Sequence, residues 1–367
     1  MDSILVTYHL STPAGTPQSA VDARAVAIAI EQSIEMPVSA VRDRRVLDEY
    51  VGRVESVTAL DPELHRIRIA LSTGTLCDDP GQLMNMLFGN SSLQPDVELI
   101  DVELGPQVLA AFPGPRFGIA GLRQATGATT RPLTCSALKP QGSSPAQLAA
   151  IARSFALAGI DIIKDDHGIA DQAYAPFAAR VKAVQAAVAG ANRETGGRTL
   201  YAPSLSGGPS RLAAQAAILR DEGAGMALIA PMIVGLPAFA ELVATLGVPV
   251  IAHPALGGAA RIAPSLLIGK LFRLFGADAV IYPNHGGRFS YSPQTCRDIA
   301  AAACGAWGNI RPALPVPAGG MTMERLPEML DFYGNDTMLL IGGGLLEAGD
   351  SMQDRAREFV RIVAATT

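Results

Sequence analysis

Aromatic residues make up only 5% of this 367-residue chain, with a single Trp, and charged residues only 17%. No Lys/Arg run interrupts a formal net charge of −5, which argues against a nucleic-acid-binding surface. The four cysteines (Cys77, Cys135, Cys296 and Cys304) form no CxxC pair and are too few for a disulfide framework, so a reducing, cytoplasmic setting is expected. There is no uninterrupted apolar run of about 18 residues, and no membrane span is expected. The opening MDSILVTYHL has neither a basic n-region nor an apolar h-region, so no signal peptide is expected. What the chain has instead is 49% hydrophobic residues and 37 glycines, a composition suited to close helix–sheet packing with strands buried on both faces.

Two rhythms divide the sequence. In the first, Ile4–Leu10 alternates as a strand, Ala20–Ile34 has helical periodicity, and Val51–Ala59 and Ile67–Ser72 read as paired strands. Pro80–Phe88 follows as a helix and Glu98–Glu103 as a strand, the order of a ferredoxin-like α+β domain, assigned to residues 1–110. Phe112–Arg131, rich in Gly, Pro and Arg, reads as a linker. The second rhythm, within residues 111–367, repeats a short apolar run eight times: Leu133–Leu138, Ile160–Lys164, Thr199–Ala202, Met226–Ile229, Val248–Ala252, Ala279–Tyr282, Ala313–Val316 and Met338–Ile341. Ala-rich helices such as Pro145–Ala158, Ala173–Ala189 and Ser210–Glu222 fill the gaps. Eight repeats with polar residues gathered after the runs predict a (β/α)8 TIM barrel; an open doubly wound sheet is the structural alternative.

The chemistry-bearing residues follow these strands. Lys164-Asp165-Asp166-His167 supplies two carboxylates and an imidazole, donors for a divalent ion, and alternation along the strand puts Lys164 and Asp166 on one side with Asp165 elsewhere. Burial would lower the lysine's pKa and free its amine to take up CO2 as an anionic carbamate. A plain strand-to-helix turn capped by Asp is the competing reading. Lys139, before Pro140, is placed either to shuttle a proton or as an exposed turn residue. Gly319-Gly320 and Gly342-Gly343-Gly344 follow the last two strands, where barrels bind phosphate through backbone N–H groups; tight turns also demand glycine. His253 is a catalytic candidate beside a structural one, and Asn284–Arg288, with His285 and Arg288, has the composition of either a lid over an anion or a surface loop.

Taken in order, Phe112–Ile119, Arg131-Pro132, Leu138-Lys139-Pro140, Gly159–Asp166 and Phe88-Gly89-Asn90 resemble the large subunit of ribulose bisphosphate carboxylase and its non-carboxylating form IV relatives, the RuBisCO-like proteins, over nearly the whole chain. His253 and both glycine turns fall where that family has barrel-tip residues. The resemblance implies a carbamylated Lys164 and Asp166 as ligands of one Mg2+ per active site, with Lys139 handling the proton of an enediol. It implies Gly319, Gly320, Gly343 and Gly344 at the C1 phosphate. It also implies a homodimer in which Glu31 and Asn90 complete the partner's site.

Departures from the carboxylases narrow the activity. Their ligand Glu is His167 here, their second motif lysine is Gln141, and the Arg and His of the second phosphate site become Pro254 and Ile281. Arg288 is the one counterpart to the mobile-loop lysine, and Met36 stands for a phosphate-site threonine. A second dianion facing Pro254 and Ile281 would be an unpaired buried charge, costing several kcal/mol. The resemblance therefore implies enolisation of a phosphorylated keto-sugar with an apolar far end rather than carboxylation. The expected activity is that of a 5-methylthioribulose 1-phosphate isomerase, passing through a metal-stabilised enediolate. The alternatives are the 2,3-diketo-5-methylthiopentyl-1-phosphate enolase of methionine salvage, a decarboxylase of the 3-oxo-isoapionate 4-phosphate type, or a non-catalytic sensor.

Overall fold

A computed structural model of the chain describes residues 3–287, 289 and 291–365. It divides into two compact units, Met1–Phe112 with Leu256–Leu267, and Pro113–Ala255 with Ile268–Thr367.

The first unit is built from β1 (Ser3–Ser11), a helix at Gln18–Glu31, β2 (Arg53–Asp61), β3 (Leu64–Ser72), a helix at Pro80–Phe88 and β4 (Val97–Glu103). The sheet is antiparallel in the order β2-β3-β1-β4, the ferredoxin-like arrangement expected from the sequence. Strict alternation makes it one-sided: Ile4, Val6, Tyr8 and Leu10 of β1 are buried while the residues between them are partly exposed. Asp79 caps the second helix by accepting from Gln82 N, with Pro80 at its first position, and Tyr8 Oη donates to Leu87 O at 2.6 Å to tie sheet to helix. Leu256–Leu267, which the sequence reading counted with residues 111–367, adds to this unit along β4. Leu99 N donates to Arg261 O, Ala263 N donates to Leu99 O, and the Arg261 guanidinium caps the carbonyls of Ser92, Gln94 and Val97.

The second unit is the (β/α)8 barrel. Its strands are β5 (Leu133–Leu138), β6 (Ile162–Asp165), β7 (Leu200–Ala202) continued past Pro203 as β8 (Ser204–Leu205), β9 (Ala227–Ile229), β10 (Val250–Ala252), β11 (Ala279–Pro283), β12 (Leu314–Ala318) and β13 (Met338–Leu340). All pairings are parallel, and β13 returns to pair with β5. Residues two apart on successive strands fill the interior, among them Leu133 and Cys135, Ala279 and Ile281, Leu314 and Val316, and Met338 and Leu340. Outer helices are set by their caps, as where Ser144 and Gln147 form a reciprocal capping box ahead of Pro145–Leu157.

One seam lacks a ladder. β12 and β13 are neighbours, yet among the described residues no strand pairing joins them. Leu314 N donates to Asp278 O, on the β11 side, so the next residue and every second one after it turn toward β13. Those residues are Pro315 and Pro317, which have no N–H to give.

The expected linker is a correction. Within Phe112–Arg131 the chain forms a helix at Gly118–Thr126, and Ile119, Leu122 and Ala128 belong to the barrel's own apolar core. Its Gly and Pro residues serve a tight approach: Gly118 has φ +60°, and the N–H groups of Phe117 and Gly118 each donate to Asp278 Oδ1 at 2.7 Å.

Behind the second strand, Asp165 and Arg180 form an ion pair at 3.0 Å with neither side chain exposed, and Tyr201 Oη and Ser204 N complete the carboxylate's partners. Replacing Asp165 by Leu alone strands a buried guanidinium and should cost about 3–5 kcal/mol. Urea unfolding should show that loss, with much of it recovered in the Asp165→Leu/Arg180→Met double variant.

Candidate active site

Alternation along β6 decides which side chains reach the barrel mouth. Ile162 lies in the interior core, so Lys164, two residues on, faces the same way, while Ile163 and Asp165 face the outer helices. In register, Lys164 is flanked by Ala137 on β5 and Ala202 on β7. Two small neighbours leave space for the long lysine side chain, which is only 4% exposed and donates from Nζ to Asp165 O at 3.0 Å. Burial pushes its pKa down to about 8, and the Lys139 cation adds to that push.

Asp166 continues the line. Its N–H donates to Leu138 O, which holds it beside the end of β5, and its buried carboxylate pairs with Lys139 Nζ. The other oxygen accepts from Gly168 N at 3.0 Å and lies 3.2 Å from His167 Nδ1. The turn role read from the sequence is therefore present, and each carboxylate oxygen, with two lone pairs, keeps capacity for a further partner. A Cβ on Gly168 would displace the end of the exposed Gln141 side chain, which packs against this turn.

His253, carried past β10, stacks on His167 with centroids 3.9 Å apart and planes 14° from parallel. Its Nδ1 accepts from Ala255 N at 3.1 Å, so the ring proton resides on Nε2. Burial, then Lys164, His167 and Lys139, drive its pKa far below the usual range. The ring is neutral and acts as an N–H donor.

The glycine turns join this group through the strand order. A Cβ placed on Gly342 would lie 3.9 Å from that of Ala137, the residue in register with Lys164. One placed on Gly344 would lie 3.6 Å from Met321 O, so the turns after β12 and β13 touch. Gly319 and Gly320 have φ of +80° and +70°, and Gly320 and Gly343 are exposed. Such backbone is open to an anion with no Cβ in the way.

Other expected residues have partners of their own. His285 is buried against Phe332, with Nε2 3.9 Å from Glu328 Oε1 and its carbonyl accepting from Arg325 at 3.0 Å. Asn284 is also buried, its amide on the Met321 and Met329 thioethers and its oxygen accepting from Tyr333 Oη. The base of the expected lid is thus anchored to the Leu326–Tyr333 helix, while Arg288 lies outside the described residues. Asn90, in the first unit, donates its exposed amide to Glu31 and Glu35. Sequence reasoning missed Glu35, whose φ of +53° was a backbone feature with no glycine to announce it.

Comparison with known proteins gives the family. Residues 118–279 match the family model "Ribulose bisphosphate carboxylase large chain, catalytic domain". The chain is 53% identical over 365 residues to the 5-methylthioribulose-1-phosphate isomerase of Rhodospirillum rubrum, covering 99% of this chain and 96% of that one. It belongs to the ribulose bisphosphate carboxylase large-chain family, as a RuBisCO-like protein. The crystal structure of a RuBisCO-like protein from Rhodopseudomonas palustris superposes with a TM-score of 0.92 at 50% identity, covering 100% of this chain and 99% of that one. At 35% identity over 288 residues, 76% of this chain and 70% of the relative, it is also similar to the 2,3-diketo-5-methylthiopentyl-1-phosphate enolase of Geobacillus thermodenitrificans.

A divalent ion fits this RuBisCO-like site on one condition. Among the described residues no three His, Cys, Asp or Glu side chains group to hold a metal, so Asp166 and His167 fall one donor short. A carbamate on Lys164 would supply the missing anionic oxygens beside Asp166.

Without CO2 or metal, Lys164 is a stability liability with a defined pH signature. The unfolded chain keeps its proton up to about pH 10.5 and the folded chain releases it near 8, so stability should rise with pH between those values. Lys164→Met should remove that rise and stabilise the protein at pH 7 by about 3 kcal/mol, as read by urea unfolding in CO2-free, metal-free buffer.

Proposed function

We propose that this RuBisCO-like protein is a Mg2+-dependent isomerase of a phosphorylated keto-sugar with an apolar far end, of the 5-methylthioribulose 1-phosphate type. The observation that carries the reading is the convergence of Lys139, Lys164, Asp166 and His253 at the strand ends, with the glycine turns adjoining them through Ala137. The name of the Rhodospirillum rubrum relative, matched over almost the full length of both chains, supports the isomerase over the enolase named at lower identity.

The Lys164 carbamate, Asp166 and His167 would hold the ion, which when bound supplies polarisation of a carbonyl and acidifies the adjacent C–H. Lys139 is a cation while it is paired with the Asp166 carboxylate; in its neutral form it would take that proton and return it to a different carbon, so that no atom is gained or lost. His253 donates Nε2–H to a substrate oxygen in its neutral form. The glycine turns receive the single phosphate. Ile281, packed into the barrel core where the resemblance expects a histidine, and Pro254 suit the uncharged end of the substrate and leave a second phosphate unpaired. The chain would work as a homodimer, with the half-buried Glu31 and the exposed Asn90 presented to the partner's site.

Proton NMR in D2O with Mg2+ tests the reading. 5-Methylthioribulose 1-phosphate should isomerise with deuterium incorporation, and Lys139→Met should lower kcat by roughly 10²–10⁴-fold. Asp166→Ala should abolish Mg2+ binding and the turnover that needs it. Turnover of only the diketo substrate, or CO2 release from a sugar-acid phosphate, would reassign the chemistry to the enolase or a decarboxylase; inertness toward all three would leave a non-catalytic sensor.

A further inference from the structure

The loops at the N-terminal ends of the barrel strands enclose a cleft of about 470 Å³. Arg116 comes from the segment ahead of the Gly118–Thr126 helix, and Asn309 and Arg311 from the loop entering β12. Pro113, Pro115 and Val243 form apolar wall, Val243 from the end of the Leu236–Leu246 helix that leads into β10. None of these residues belongs to the site at the mouth, which lies at the opposite ends of the strands.

Both sides of the cleft are pinned from behind. Gly114 N donates to Leu274 O, and Asp278 takes the N–H groups of Phe117, Gly118 and Val250. On the other side the buried Arg273 guanidinium donates to the carbonyls of Ala302, Gly305, Ile310 and Arg311. The cleft is therefore preformed. Arg311 donates to Arg116 O, which brings one guanidinium onto the loop that carries the other, and Arg116 sits over the Phe117 ring at 5.7 Å. Among the described residues neither guanidinium enters an ion pair. The carboxylate that senses Arg311, Asp278, is buried and already engaged by three backbone N–H groups. Two like charges held toward one cavity repel, and a dianion with fork-accepting oxygens offsets both.

We propose that this cleft binds an organic phosphate, with the phosphate on Arg116 and Arg311, Asn309 beside it, and the planar or apolar body against Val243 and the two prolines. Its size is that of a small-molecule site. A phosphate ester satisfies all the walls at once, whereas a free inorganic anion satisfies only the arginines.

The protein's single Trp, Trp307, lies in the same loop as Asn309 and Arg311, so its emission reports on this end of the barrel. With AMP as probe, Trp307 fluorescence should change saturably, and inorganic phosphate should bind more weakly. Arg116→Gln, on an exposed side chain, and Arg116→Gln/Arg311→Gln should each weaken AMP binding, the pair by at least about tenfold. The Lys/Lys pair should retain part of it, and thermal melts should confirm that the variants are folded. Asp166→Ala, at the mouth, should leave the titration unchanged. The proposal is overturned if millimolar AMP gives no saturable change, if the folded double Gln variant still binds normally, or if Asp166→Ala abolishes the response.

Discussion

A lysine amine buried between two alanines is the constraint around which the barrel mouth is arranged. Ala137 and Ala202 leave room for it, and among the described residues no carboxylate pairs with it: Asp165 turns outward to Arg180, and Asp166 is engaged by Lys139. The lysine is left with a backbone carbonyl for its amine, in surroundings that favour the uncharged form. Natural barrels rarely keep a cation in that state for stability's sake, and strain of this kind is characteristic of functional positions. The rigid Asp165–Arg180–Tyr201 network immediately behind it serves the same end, because it fixes the strand whose alternate residues point into the site.

The barrel's closure follows a similar division. β13 hydrogen-bonds to β5, and that contact brings Gly342 alongside Ala137 and thereby joins the glycine turns to the lysine and carboxylate pair. The neighbouring seam, between β12 and β13, is the one that Pro315 and Pro317 leave without donors. Ladder energy is thus given up next to the turns and retained where register matters to the chemistry. Gly287 presses against Gly319 O so closely that only glycine fits, which couples the loop after β11 to the same turns.

Much of this was legible in the sequence because it rests on period. Period-two alternation in Ile4–Leu10 and the eight apolar runs located every strand to within a few residues, and the same alternation separated Lys164 and Asp166 from Asp165. What escaped was whatever depends on contacts distant in sequence. Gly and Pro in Phe112–Arg131 looked like punctuation, yet Gly118 and its neighbour are there to meet Asp278, 160 residues away. Leu256–Leu267 carries no local sign that Leu99 will pair with it. His285 reads as a rim imidazole until Phe332 and Arg325, from the segment after β12, are seen to hold it. The His167–His253 stack is likewise invisible in a sequence that places the two rings 86 residues apart.

That stack bears on why His167 stands where the carboxylases have a glutamate. A carboxylate at that position would face His253 and favour its imidazolium, whereas an imidazole stacked on it, with Lys139 and Lys164 nearby, does the opposite. Together with the backbone N–H that occupies its Nδ1, this leaves His253 as a neutral donor. A neutral donor can stabilise negative charge on an oxygen without delivering a proton to it, as the proposed isomerisation would require. The loss of charge at Ile281 and Pro254 points the same way. Neither Pro254 nor Ile281 can pair with a second phosphate, and on that ground the proposed substrate carries only one.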